Sequence, residues 1–132
     1  MLGLLALAWP AQLRADGTIT VRLIGAIRSG ASDASFTLIN QSPDAISFTT
    51  YDGGALHNGI ERLDAGVWTD VGLGYCGLGM DGETRVAAGQ RARVRAYLPQ
   101  EPGTYRILVH VSRQTASGAV PEVVVSAPFQ RR

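Results

Sequence analysis

The chain has 132 residues, of which 45% are hydrophobic, 17% charged and 7% aromatic. This mixture is typical of one globular domain, and it excludes both a disordered chain and two domains of ordinary size. The formal net charge is only +1, so the chain lacks the excess of positive charge that is typical of nucleic-acid-binding proteins. All twelve basic residues are arginines.

The first fifteen residues differ from the rest of the chain. An apolar run over residues 2–9 ends at Pro10, and small residues follow at Ala11 and Ala15. This pattern resembles a secretory signal peptide cleaved after Ala15 or, less well, after Ala11, although no basic residue precedes the run. The run is shorter than the roughly 20 apolar residues of a transmembrane helix, so no stable membrane span is expected. We therefore predict a signal peptide over residues 1–15 and a secreted or periplasmic domain over residues 16–132; the alternative is a hydrophobic first strand or helix of a cytosolic protein.

From residue 16 onward, apolar residues recur with a period of two, which is the period of a β-strand. Strands are predicted over residues 18–24, 34–40, 45–51, 60–63, 67–71, 83–87, 91–98, 104–112 and 120–127. Residues 60–63 and 67–71 form a predicted hairpin in which Gly66 can take positive φ, and Pro121 indicates an edge or the start of a strand. Because strands that are apolar on one face must bury that face, the sequence predicts an all-β fold, an antiparallel β-sandwich of about eight strands.

Residues 72–77, GLGYCG, match the G-x-G-x-x-G fingerprint of a dinucleotide-binding turn. That fingerprint requires a helix directly after the glycines, whereas residues 83–98 alternate as a strand does, so no nucleotide cofactor is predicted. We interpret residues 72–82 as a connection between strands or as a recognition loop that uses Tyr75 and Leu78. Cys76, the single cysteine, excludes an internal disulfide; it is either free or paired with another chain.

The segment LPQEPGTYRILV, residues 98–109, resembles the tyrosine corner of immunoglobulin-like sandwiches. With FTLINQSPDAISFTTYDG and the Trp68 hairpin IERLDAGVWTDV, residues 17–113 resemble bacterial immunoglobulin-like domains of secreted and cell-surface proteins. The resemblance implies structural roles for Trp68, Gly103 and Tyr105, whose hydroxyl would bond to the backbone a few residues upstream. The paired cysteines of antibody domains are absent, and a shared fold says little about activity.

A row of outward side chains on the strand at residues 91–98 is the main candidate binding surface. Its members are Arg91, Arg93, Arg95 and Tyr97. If the strand at residues 104–112 pairs beside it, Arg106 and His110 join the same surface. Such a surface could bind an acidic glycan, a phosphate-rich polymer or an acidic protein. The alternative is an ordinary solvated face whose arginines pair with acids such as Glu83 or Glu122.

No pattern indicates catalysis or a metal. A nucleophile pair of Cys76 and His110 has no spacing that would bring the two together, and no G-x-S-x-G elbow is present. His57, Asp52 and Asp81 have metal-ligand chemistry without a ligand spacing, and turn aspartates usually accept hydrogen bonds from nearby amides. We therefore predict a non-catalytic, exported immunoglobulin-like binding or structural module of the bacterial cell envelope, without cofactor or metal, whose partner is an envelope protein or glycan. The alternatives are an inhibitor or accessory subunit of an extracellular enzyme and, from another class, a small extracellular hydrolase.

Overall fold

The computed structural model describes residues 18–56, 59–72 and 79–132, and these ranges contain strands and no helix. The fold is therefore all-β, as the sequence predicts. Eleven strands lie in the described ranges: β1 (Ile19–Leu23), β2 (Asp33–Asn40), β3 (Ala45–Tyr51), β4 (Ala55–Leu56), β5 (Ile60–Asp64), β6 (Val67–Asp70), β7 (Met80–Val86), β8 (Arg91–Tyr97), β9 (Gly103–Thr115), β10 (Gly118–Val125) and β11 (Phe129–Arg131).

The predicted strands are all present, and their ends shift by at most three residues. Two strands were missed because each is too short to show an alternating pattern: β4 has two residues after a tight turn, and β11 has three residues after Pro128. Strands β5 and β6 form the predicted hairpin, whose turn consists of Ala65 and Gly66. Both residues have positive φ (50° and 81°), which is the geometry of a two-residue type I′ turn. The positive φ predicted for Gly66 is thus confirmed.

The strands are joined by hydrogen bonds in the order β1-β2-β8-β4-β3-β9-β5-β6, while β10 and β11 also pair with β9 and β7 pairs with β3. All of these pairs are antiparallel except β4 with β8, which run parallel. The expectation of a wholly antiparallel arrangement is therefore wrong at one place. The reason is local: the turn at residues 52–54 reverses the chain after β3, so that the short β4 is antiparallel to β3 and lies along β8 in the same direction.

Strand β9 holds the fold together. Its first half, up to Ile107, pairs with β5 and β11, and its second half pairs with β10 and β3. Strand β10 pairs with β9 alone among the described strands, which agrees with the edge position predicted from Pro121. One continuous thirteen-residue strand thus connects two groups of neighbours.

The core lies where the apolar faces of these strands meet. Tyr105, Phe36, Leu38, Ile46 and Ile107 are fully buried. The Phe36 ring on β2 lies 5.4 Å from that of Phe129 on β11, and the Tyr105 ring lies 6.4 Å from that of Phe129. Burial of each such side chain stabilises the fold by about 1.5–3 kcal/mol before the entropy cost.

The resemblance implies structural roles for Tyr105, Gly103 and Trp68, and the structure shows the surroundings of each. The Tyr105 hydroxyl donates a 2.7 Å hydrogen bond to the carbonyl oxygen of Glu101, four residues upstream. A Cβ on Gly103 would lie 3.3 Å from Cδ of Arg62, so a larger residue here would require the Arg62 side chain to shift slightly. Trp68 is half-buried on β6.

No helix in the described part of the chain has the length and hydrophobicity that crossing a bilayer requires.

Candidate functional site

The predicted alternation on β8 is present. Val94 and Ala96 are buried, and Arg91 and Arg93 are exposed on the other face. Strand β8 pairs with β2, and β2 pairs with β1, in a register that aligns Arg93 with Thr37 and Thr37 with Arg22. Because residues at paired positions point to the same side of a sheet, Arg22 lies on the face of Arg93, about 10 Å away across one strand.

Arg106 and His110 do not join this row, because the pairing of β9 beside β8 on which that expectation depended is not present. Strand β9 pairs with β3, β5, β10 and β11, whereas β8 pairs with β2 and β4. Strands β8 and β9 follow each other in the sequence after a short connection, but β4 and β3 lie between them in the order of hydrogen-bonded strands. Arg106 instead makes an ion pair with Glu61 at 2.7 Å, and its guanidinium lies 4.3 Å from the centre of the Trp68 ring.

Arg95 and Tyr97 lie on the predicted face, but internal bonds engage both. Arg95 makes a 2.7 Å ion pair with Asp33 and donates to the carbonyl oxygen of Asp52 at 2.6 Å. The Tyr97 hydroxyl donates to the Asp52 carboxylate at 2.7 Å, and this bond raises the pKa of Tyr97. The two side chains therefore fasten the turn after β3 to β8. The acid beside the row is Asp33, whereas Glu122 pairs with Arg113 on β9.

The aspartates considered as metal ligands hold this same turn. The Asp81 carboxylate accepts hydrogen bonds from the backbone amides of Gly53 and Gly54 at 3.0 and 2.8 Å and from the Thr50 hydroxyl at 3.0 Å. The two amide bonds lower the pKa of Asp81, because they stabilise its charged form. Within the described ranges no three potential metal ligands cluster. His57, the third residue of that set, lies outside them.

The side chains that remain available form a positively charged surface, which we call the basic face: Arg22, Arg28, Arg91 and Arg93. No described carboxylate lies within 4 Å of any of the four. Arg93 donates a 3.2 Å hydrogen bond to the hydroxyl of Ser35 on β2. Arg28 and Arg93 line a groove of about 640 Å³ beneath the β1–β2 connection. Sequence reasoning missed Arg22 and Arg28, because no local pattern indicates that β1 lies next to β2 and one strand from β8.

His110 is exposed on β9 and lines a different cleft, between β9 and β3. Cys76, with which His110 was considered and rejected as a nucleophile pair, lies outside the described residues, as do the recognition-loop residues Tyr75 and Leu78. Thus the structure separates His110 from the basic face and gives it polar neighbours of its own, among them Ser47 and Glu83.

A scan against protein-family models found no match, and searches of the curated proteins and of the solved structures also found none. The candidate sites therefore stand on their own geometry.

Proposed function

We propose that this chain is a non-catalytic binding module that recognises a carboxylate-rich partner through its basic face. The observation that carries the proposal is the set of exposed arginines Arg22 on β1 and Arg91 and Arg93 on β8, the two strands that flank β2, with no described carboxylate within ion-pair distance. Asp33 is the one acidic side chain among the outward residues of β1, β2 and β8, and Arg95 neutralises it. The face therefore has a local excess of three positive charges, or four with Arg28.

Arginine suits this role because its planar guanidinium can bond both oxygens of a carboxylate. A single exposed ion pair contributes about 0.2–1 kcal/mol, so one contact would not bind a ligand. Several arginines spaced across neighbouring strands can engage a repeating acid together, and their contributions then accumulate. A polymer of carboxylates, such as an acidic glycan or an acidic protein segment, fits this arrangement better than a small anion.

We further propose that the domain is an immunoglobulin-like β-sandwich of the bacterial cell envelope. The contact of Phe36 on β2 with Phe129 on β11, and the bond from Tyr105 to Glu101, support two packed layers closed by a tyrosine corner. The signal-peptide pattern of residues 1–15 supports secretion or export to the periplasm. The partner would then be a protein or glycan of the envelope.

Binding to polygalacturonate and to polyglutamate, measured by isothermal titration calorimetry, tests the function. We expect saturable binding of at least one polymer that weakens with salt, and a loss of about tenfold or more in the double variant Arg91→Gln/Arg93→Gln. The comparison of the two polymers separates a glycan ligand from a peptide ligand. The control is the single variant Arg85→Gln, which removes an exposed arginine of β7 outside the basic face; it is compared with Arg93→Gln alone and should bind as the wild type does. No binding of either polymer, or an equal loss in this control, would overturn the proposal.

The alternative function, an inhibitor or accessory subunit of an extracellular enzyme, depends on contacts of Tyr75 and Leu78. Both residues lie outside the described ranges, so no described contact favours that function over the basic face.

A further inference from the structure

Strands β3 and β9 separate halfway along their length. They pair at Ala45–Gln114, Ile46–Arg113 and Ser47–Ser112, and the ladder stops there. Leu108 lies four residues before Ser112 on β9, and its backbone amide donates a hydrogen bond to the carbonyl oxygen of Gly59. Gly59 therefore contacts the same edge of β9 as β3 does. Alternate residues of an antiparallel strand direct their N–H and C=O groups to the same side, so His110 directs its backbone toward the gap between these two contacts.

A cleft of about 390 Å³ occupies this gap. Its apolar lining comes from Phe48, Leu56, Leu108 and Val111. Its polar lining includes Ser47 and Thr49 from β3, His110 from β9, and Glu83 from β7, which is paired with Thr49. Clefts of this size with a few convergent polar groups above an apolar lining are typical of small-molecule sites.

The buried hydroxyl of Ser47 is a second observation that indicates a ligand site. Ser47 is 5% exposed, yet within the described ranges its hydroxyl has no hydrogen-bond partner. Buried hydroxyls are almost always hydrogen-bonded, because leaving one without a partner costs free energy. The side chains of Thr49, Glu83 and His110 also make no hydrogen bond to a described residue. Four polar side chains therefore converge on one cleft with their bonding capacity unused by the described protein.

We propose that this cleft binds one ring of a neutral sugar, at a site separate from the basic face. Sugar hydroxyls both donate and accept hydrogen bonds, which matches two hydroxyls, an imidazole and a carboxylate. The apolar lining can contact the C–H face of a pyranose ring. Glu83 disfavours an anion, and the lining includes no arginine, so this site selects a chemistry opposite to that of the basic face. The inference does not depend on the acidic ligand proposed above.

Titration of the ¹⁵N-labelled protein with glucose, galactose, mannose and N-acetylglucosamine, followed by NMR, tests the proposal. At least one sugar should shift the amide signals of Ser47, Thr49 and His110 in a saturable manner. Loss of one hydrogen bond in Ser47→Ala should weaken that binding roughly five- to tenfold. Ser35→Ala, which removes a hydroxyl from β2 outside the cleft, should leave it unchanged.

Two further variants keep the outcomes separate. His110 is exposed, so His110→Ala should fold and should also weaken sugar binding. Arg91→Gln/Arg93→Gln should not change it, even if this variant loses every acidic ligand. Melting temperatures of all variants check their folding, and Ser47→Ala should melt no lower than the wild type. The proposal is wrong if none of the four sugars moves the cleft amides, or if Ser47→Ala and His110→Ala bind as the wild type does.

Discussion

The hydroxyl of Tyr105 donates a 2.7 Å hydrogen bond to the main-chain carbonyl oxygen of Glu101. The ring of Tyr105 is fully buried, and its hydroxyl reaches back to the turn that precedes β9. This bond fixes the start of the strand to which β3, β5, β10 and β11 all pair. The stability of the fold should therefore depend on a bond whose acceptor is backbone.

Tyr105→Phe should lower the free energy of unfolding by about 1 kcal/mol, because it removes this hydrogen bond and keeps the ring. Urea denaturation measures the change. Glu101→Ala is the matched control, since it retains the carbonyl acceptor and loses one exposed ion pair with Arg62; it should cost less than about 0.5 kcal/mol. Equal losses in the two variants would mean that the side chain of Glu101, and not its carbonyl, matters.

Asn40 is a buried hub for the end of β2. Its side-chain amide lies 2.9–3.2 Å from the carbonyl oxygens of Asp44, Val86 and Ala87, and its oxygen accepts from the amide and hydroxyl of Ser42. Asn40→Ala leaves several of these buried groups without a partner and should cost roughly 3 kcal/mol of unfolding free energy. Gln41→Ala, at the adjacent half-buried position, should change it by less than about 0.5 kcal/mol. Chemical denaturation of both variants checks the difference, and a neutral Asn40→Ala would contradict this role.

Gly59 is required by a close approach to β9. A Cβ at this position would lie 2.4 Å from the carbonyl oxygen of Leu108, so Gly59→Ala must push the two segments apart. We expect a loss of about 1–3 kcal/mol of unfolding free energy, together with shifts of the Leu108 amide signal by NMR. An added Cβ at Gly79 meets nothing within 4 Å, so Gly79→Ala should be neutral. Similar stability of the two variants would show that the contact relaxes without cost.

Asp81 should give the fold a pH dependence in acid. Its pKa is lowered by hydrogen bonds from the amides of Gly53 and Gly54, so the folded state favours the charged carboxylate. The stabilisation is therefore present at neutral pH and is lost as the pH falls below about 4, through the pKa of the folded state. Melting temperatures from pH 7 to pH 2 should show that Asp81→Asn lies below the wild type at pH 7 and approaches it in acid. Glu83→Gln, whose carboxylate has no described hydrogen bond, should show no such convergence; a constant gap for Asp81→Asn would refute the mechanism.

The sequence predicted which side chains of β8 face outward, but not which of them are available for binding. The outward positions of Arg91, Arg93, Arg95 and Tyr97 follow from alternation along one strand, and the structure has them so. Whether each is available was not predictable, because Asp33 and Asp52 come from other strands and turns and engage Arg95 and Tyr97. Alternation along β1 places Arg22 opposite the buried Ile19 and Val21, but its place on the face of Arg93 depends on two successive strand pairings.

The sequence by itself determined that the chain forms strands, where most of them lie and which side of each is buried. These properties are local, because apolar residues that alternate with a period of two fall on one side of the backbone only in an extended strand. The tertiary structure alone decided which strands are neighbours: it placed Arg22 near Arg93, Arg106 on Trp68, and His110 across a gap from Ser47. Strand pairing depends on backbone hydrogen bonds between segments far apart in the chain, and those bonds are alike for every sequence. The choice among partners is therefore made by burial of the whole core and not by any local pattern.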